Sequence, residues 1–278
     1  MQMKRKHIIL ITLAFFLAAS ALWIYYDNQR IVTTRRTLHF DRLPAAFDGF
    51  TIAQISDLHN AEFGEDNAEL LDALRDAAPD IIVISGDMID SRHTDVEIAA
   101  SFAEAAVEIA PVYYVTGNHE GRIPEDAAVL ERRMTSVGVS VLHNERTFFY
   151  SSEDRIALIG MDDPSMTADV GAFREQLRVL SHPAYFSVIL SHRPDLFDIY
   201  CDAGADLVFS GHAHGGQFRL PLLGGIFAPN QGFFPDYTEG CYTKGDTTMV
   251  VSRGLGNSLF PFRVNNPPEI VIISLQGR

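Results

Sequence analysis

Five short clusters supply the side chains best suited to hold divalent cations. They are Ile-Ser-Asp-Leu-His at 55–59, Ser-Gly-Asp at 85–87, Gly-Asn-His-Glu at 117–120, Ser-His-Arg-Pro at 191–194 and Gly-His-Ala-His at 211–214. Carboxylate, amide oxygen and imidazole suit ions such as Mn, Fe or Zn, and no cysteine thiolate takes part. Five of the ten histidines fall in these clusters: His59, His119, His192, His212 and His214. His7, His39, His93, His143 and His182 lack such company and read as structural or solvated. Two cations about 3.5–4 Å apart would clamp the attacking and leaving oxygens of an in-line displacement at phosphorus and acidify a water between them. A bridging carboxylate would hold that spacing, a part that Asp87 suits. Phosphoryl transfer depends on positioning and charge neutralisation, so no dedicated Ser or Cys nucleophile is required. The departing alkoxide still needs a proton, and a histidine outside the ligand set supplies one near neutral pH.

The clusters must converge, and the runs before them explain how. Residues 50–55, 80–84, 112–115, 185–190 and 206–209 are short and rich in Val, Ile, Phe and Tyr, the signature of buried strands. Neighbouring strands that end at one sheet edge would bring all five clusters into a single crevice. Glycines before Asp87, Asn118 and His212 are expected to permit tight turns there. Asp90, Asp162 and Asp163 also follow strand-like runs and read as turn residues. Two stretches, 67–77 with Leu70, Leu71 and Leu74, and 96–109 with Ile98, Phe102 and Ala106, have helical spacing and a core-facing stripe. Residues 139–142, 148–150, 155–160, 248–252 and 269–274 read as antiparallel strands. A purely doubly wound sheet accommodates these poorly, so the expected class is α/β with a two-sheet sandwich flanked by helices.

Taken together, the motifs resemble those of the calcineurin-like metallophosphoesterases, in particular membrane-anchored bacterial phosphodiesterases: D-x-H, then GD, then GNH with an acid, then a later His, then GHxH. The match runs from about Thr37 to the C-terminus. The resemblance implies a four-layer α/β/β/α fold and a dinuclear phosphoester hydrolase in which a metal-bridging hydroxide attacks in line. It assigns one metal to Asp57, His59, Asp87 and His214, and the other to Asp87, Asn118, His192 and His212. His119 becomes the general acid, with Glu120 orienting or polarising its ring. The His of D-x-H favours phosphodiesters. Two alternatives stay open: a pyrophosphatase acting on a nucleotide-linked lipid precursor, and a non-catalytic metal-binding scaffold. Against the scaffold stands the complete ligand set together with His119.

At the N-terminus, Lys4, Arg5 and Lys6 precede an uncharged run over 8–26, long enough at about 1.5 Å per residue to span the hydrocarbon core. Trp23, Tyr25 and Tyr26 at its far end suit a membrane interface. The expected division is an anchor at 1–26, a linker at 27–36 and a catalytic domain at 37–278. A cleaved signal ending near Ala19-Ser20-Ala21 is the competing reading. Either way the catalytic domain is expected on the extracytoplasmic side. From Ile31 onward, 18 Lys and Arg face 35 Asp and Glu, which argues against binding long nucleic acids through their backbone. No obligate protein partner is evident. Cys201 and Cys241 are expected as free thiols. The apolar segment 218–237, directly after the last cluster, could form a wall or lid for a lipid-linked phosphoester.

Overall fold

The protein is described here by a computed structural model covering residues 2–166, 169–258 and 260–278. Helix α1 (Gln2–Gln29) carries its apolar side chains outward, with Ile8, Phe15 and Leu22 all exposed. Its portion Arg5–Gln29 is long and apolar enough to cross a membrane. Residues 27–36, expected as a linker, are ordered. They complete α1 and open strand β1 (Val32–Phe40), which pairs in parallel with β16 (Glu269–Gly277). The polar Thr-Thr-Arg-Arg sequence suits this position because β1 is an edge strand.

The first six-stranded sheet has the order β1-β16-β2-β3-β4-β5, adding β2 (Thr51–Ile55), β3 (Ile81–Ile84), β4 (Val112–Tyr114) and β5 (Ser140–Val141). The second comprises β6 (Glu145–Ser151), β7 (Asp154–Met161), β8 (Ser187–Ser191), β9 (Leu207–Ser210), β14 (Gly240–Lys244) and β15 (Thr247–Val251), in the order β14-β15-β9-β8-β7-β6. Strand alternation builds three apolar layers. Ile52, Val83, Val188, Phe209 and Ile273 fill the space between the sheets. Ile55, Ile82, Ile84 and Ile272 point outward to α2 (Ala68–Ala77), α3 (Val96–Ala106) and α5 (Pro124–Ser136), which supply Leu74, Phe102 and Leu130. Ile189, Val208 and Met249 meet α6 (Val170–Leu180) and α7 (Phe197–Asp202) on the other side. The architecture is α/β/β/α, as expected.

Several pairings differ from the antiparallel reading. Residues 139–142 yield β5, which runs parallel to β4, and β7 is antiparallel to β6 but parallel to β8. Strand β15 is antiparallel to β14 and parallel to β9, while β16 is antiparallel to β2 and parallel to β1. Helical crossovers return the chain in the same direction, so β2, β3 and β4 run parallel, as do β8 and β9. Each of these five strands therefore delivers its C-terminal end to the same edge of the sandwich. Cys201 and Cys241 are free.

Candidate metal centre

All nine residues expected at the site lie in the segments that directly follow those five strand ends, three of them in the short helix after β4. Asp57, His59 and His214 place ligand atoms within 4.8 Å of one another, and so do Asp87, His192 and His212. Asp57, His59, Asp87, His212 and His214 all adopt positive φ, between 46° and 65°. Non-glycine residues rarely do so, at a cost of about 1–3 kcal/mol each, and such outliers gather at functional sites. The glycines contribute mainly space. A side chain at Gly117 would collide with the Asp87 carboxylate, and one at Gly211 would collide with Ser56 and Asp57.

The chemistry of the donor set fits cations. His192 Nδ1 donates to the Ser85 carbonyl at 2.8 Å, so Nε2 faces inward and, in the neutral ring, carries the lone pair. Against its burial, Asp87 and Asp57 raise the pKa of this ring to about 10, so the place a cation would take is one that already draws a proton. His212 Nε2 donates to Asn230 Oδ1 at 2.8 Å, leaving its Nδ1 free in the same way. His192 Nε2 and His212 Nδ1 face each other at 3.2 Å, where two lone pairs would repel unless a proton or a metal cation lies between them. One end of the Asn118 amide lies 2.7 Å from His212 Nδ1; the protein's own hydrogen bonds favour its NH2 there, and around a cation its oxygen would take that place. On the other side, His59 Nε2 and His214 Nε2 approach to 3.1 Å. Asp87 Oδ2 lies 3.1 Å from His192 Nε2 and 3.6 Å from His59 Nε2, between the two halves. Asp57 Oδ1 is 3.4 Å from His214 Nε2. Both carboxylates are buried, and buried charge requires a partner. Burial pushes the His212 and His214 imidazoles well below their ordinary value, which favours the neutral, ligating form.

His119 sits beside this cluster. The Ser91 amide donates to its Nδ1 at 3.0 Å, so the proton of the neutral ring resides on Nε2. That atom faces the Ser258 hydroxyl at 3.5 Å. The expected pairing with Glu120 is not formed. Glu120 opens helix α4 (Asn118–Arg122) and curls back to accept backbone N–H groups from Gly117, Asp87, Met88 and Ile89 at 2.8–3.2 Å. It therefore fixes the turn that carries Asp87 rather than the His119 ring. The acid nearest that ring is Asp90, whose Oδ1 lies 3.7 Å from His119 Nδ1, so Asp90 is more than a turn residue.

A cavity of about 260 Å³ opens over the cluster, lined by Asp87, His119, His212 and His214 together with Arg92 and Arg122. The two arginines, Ser91, Asn230 and Arg263 were not anticipated from sequence. Arg263 is fully buried, and its Nη2 lies 3.3 Å from His214 Nδ1. None of them stands in a recognisable motif. The one available cue was the Arg beside GNHE, two residues past Glu120. The apolar segment 218–237 takes part as a wall, since Phe227 and Pro229 line the cavity.

This site falls within a known family. A sequence model of the calcineurin-like phosphoesterases matches residues 50–216, and the chain belongs to that family. It is a metallophosphoesterase, a hydrolase of phosphoric ester bonds. YkuE of Bacillus subtilis, an uncharacterized metallophosphoesterase, is 32% identical over 263 residues, covering 91% of this chain and 88% of that protein. The phosphodiesterase YaeI of Escherichia coli is 28% identical over 231 residues, covering 81% and 82%. Among solved structures, phosphopantetheinyl hydrolase from Mycobacterium tuberculosis superposes with a TM-score of 0.51 at 13% identity, over 75% of this chain and 91% of that one, a likeness of fold.

Proposed function

We propose that this chain is a membrane-anchored phosphodiesterase that uses two divalent cations, Mn, Fe or Zn. Asp57, His59, Asp87 and His214 would hold one, and Asp87, Asn118, His192 and His212 the other. The observation that carries this reading is the convergence of two imidazole nitrogens, His192 Nε2 and His212 Nδ1, 3.2 Å apart, with the buried Asp87 carboxylate 3.1 Å from the first. When bound, such a pair supplies positive charge to the phosphoryl oxygens and acidifies water. Asp87 sits where one carboxylate can serve both halves. Arg92 and Arg122, at the cavity wall, attract the phosphate and orient it. His119 holds a proton at Nε2 and delivers it to the leaving alkoxide, with the Ser91 amide holding the ring from behind. A named phosphodiesterase among the relatives supports the diester preference.

Helix α1 is read as a retained anchor at 1–26, with the catalytic part outside the cytoplasm. The substrate is a phosphoester, lipid-linked in the reading developed below. No nucleic-acid or obligate protein partner is invoked. Leaving-group dependence tests the role of His119. His119→Ala should slow hydrolysis of an alkyl methyl phosphodiester by about 10²-fold or more, yet slow a nitrophenyl diester far less, because nitrophenolate departs without a proton. Equal loss on both substrates would remove His119 from the proton-donor role.

A further inference from the structure

The last two turns of α1 do not simply lead out of the membrane. They roof a groove of about 540 Å³ whose apolar lining includes Ile24, Tyr25, Phe63, Leu255, Pro261 and Phe262. The helix end is seated firmly there: Arg263 N donates to Asn28 Oδ1 at 2.7 Å, and Asn28 Nδ2 donates to the Arg263 carbonyl at 2.8 Å. At Asn257 and Pro261 this groove adjoins a second one lined by His59, Asp90 and Arg92. The second groove in turn shares Arg92 and Ser258 with the cavity over the metal cluster. Arg92, paired with Asp90 at 2.8 Å, donates to the Ser258 carbonyl at this junction. An apolar slot beside a membrane-length helix thus runs, by shared walls, to a cationic, phosphate-sized cavity.

Further apolar surface is exposed on the hairpins that follow the last ligand cluster. Leu222, Leu223, Phe233 and Phe234 are exposed in the hairpins formed by β10 (Arg219–Leu220) with β11 (Gly224–Gly225) and β12 (Phe227–Ala228) with β13 (Gly232–Phe233). Phe218 at their base packs on Phe260 and Phe262, with ring centroids 5.0 and 5.6 Å apart. Exposed apolar surface of this kind marks contact with a membrane or an apolar ligand.

We propose that the groove between α1 and residues 255–257, 261 and 262 holds the hydrocarbon chain of a membrane-resident phosphodiester, whose phosphate enters the metal cavity past Arg92 and Ser258. This rests on the phosphodiesterase reading above and adds the substrate class and its path. The charges are complementary: the chain lies against Ile24, Tyr25 and Phe262, and the anionic phosphate meets Arg92 and Arg122. Hydrolysis needs no further reactant. Water supplies the oxygen that joins phosphorus, and the proton leaves with the alcohol.

The test uses the full chain in phosphatidylcholine vesicles with two nitrophenyl phosphodiesters, one bearing a hexadecyl group and the other a methyl group. Ala21→Trp and Ile24→Trp fill the groove, whereas Leu17→Trp adds the same bulk to α1 outside it. The kcat/KM ratio, hexadecyl over methyl, should fall about tenfold or more in the first two variants and hold in the third. A ratio that stays constant in all three, or falls equally in all three, would overturn the proposal. If the wild type hydrolyses neither diester, the functional reading itself has failed. Crosslinking by a diazirine-tagged hexadecyl phosphonate then decides the groove separately. Label on Phe63, Leu255, Asn257, Pro261 or Phe262 supports the chain site, and label confined to the outer face of α1 refutes it.

Discussion

Two imidazoles are prepared for metal by groups on their far sides, and the cost of losing one such group can be stated. Asn230 holds the proton of His212 at Nε2, so Asn230→Ala should free the ring to take either tautomer. Metal affinity is expected to fall about 10–100-fold by calorimetric titration. An unchanged affinity would show that Nδ1 of His212 is not a ligand. Glu120 makes a different contribution: its carboxylate satisfies four backbone N–H groups around the Asp87 turn. Glu120→Ala should lower stability by about 3 kcal/mol or more in chemical denaturation, beyond any effect on proton transfer. The sequence made the ligands legible because Asp, Asn and His at strand ends have few other reasons to cluster. It did not reveal their supports. Ser91 acts through its backbone amide, Asn230 comes from a hairpin turn, and Glu120 turns away from its neighbour because one N–H at the helix start and three in the distant Asp87 turn await an acceptor.

At the scale of elements, the site depends on how closely β3 and β4 release their turns. Gly117 separates β4 from α4 and lies against Asp87, so Gly117→Ala should displace that carboxylate and weaken metal binding even where the fold survives. A second junction joins α5 to the end of β7. His143 lies 3.0 Å from Asp162 and 3.4 Å from Glu131, and these bonds raise its pKa to about 10. A raised pKa stabilises the fold fully below the ordinary imidazole value of about 6.5, and that contribution disappears as pH climbs toward about 10. His143→Gln should therefore cost stability at pH 6 and nearly nothing at pH 10. Because the ring is partly exposed, solvent screening limits the difference to about 1 kcal/mol or less. Equal losses at both pH values would show that packing, not charge, holds the junction. The strands and helices were readable from periodicity, but their partners were not. Periodicity reports which face is buried, whereas strand direction follows from the crossovers, and so β5 emerged parallel to β4. The polar sequence of β1 gave no periodic signal because an edge strand is held mainly by backbone pairing with β16.

For the whole molecule, the end of α1 and the metal cluster are joined by few steps. Asn28 of the helix binds the backbone of Arg263, whose guanidinium reaches His214 Nδ1. Arg263 thus links the end of α1 to the metal cluster. If α1 spans the bilayer, alkaline carbonate should leave the full chain in the membrane fraction, and release into the supernatant would contradict the anchor. The central claim is that Asp57, His59, Asp87, Asn118, His192, His212 and His214 hold two catalytic cations. Its most direct test is to strip the full chain with chelator and titrate Mn back while following nitrophenyl phosphodiester hydrolysis, with Asp87→Asn in parallel. The account predicts no activity after stripping, recovery that saturates near two equivalents, and a loss of about 10³-fold or more in Asp87→Asn. Hydrolysis that survives chelation, or an Asp87→Asn chain that recovers like the wild type, would contradict it.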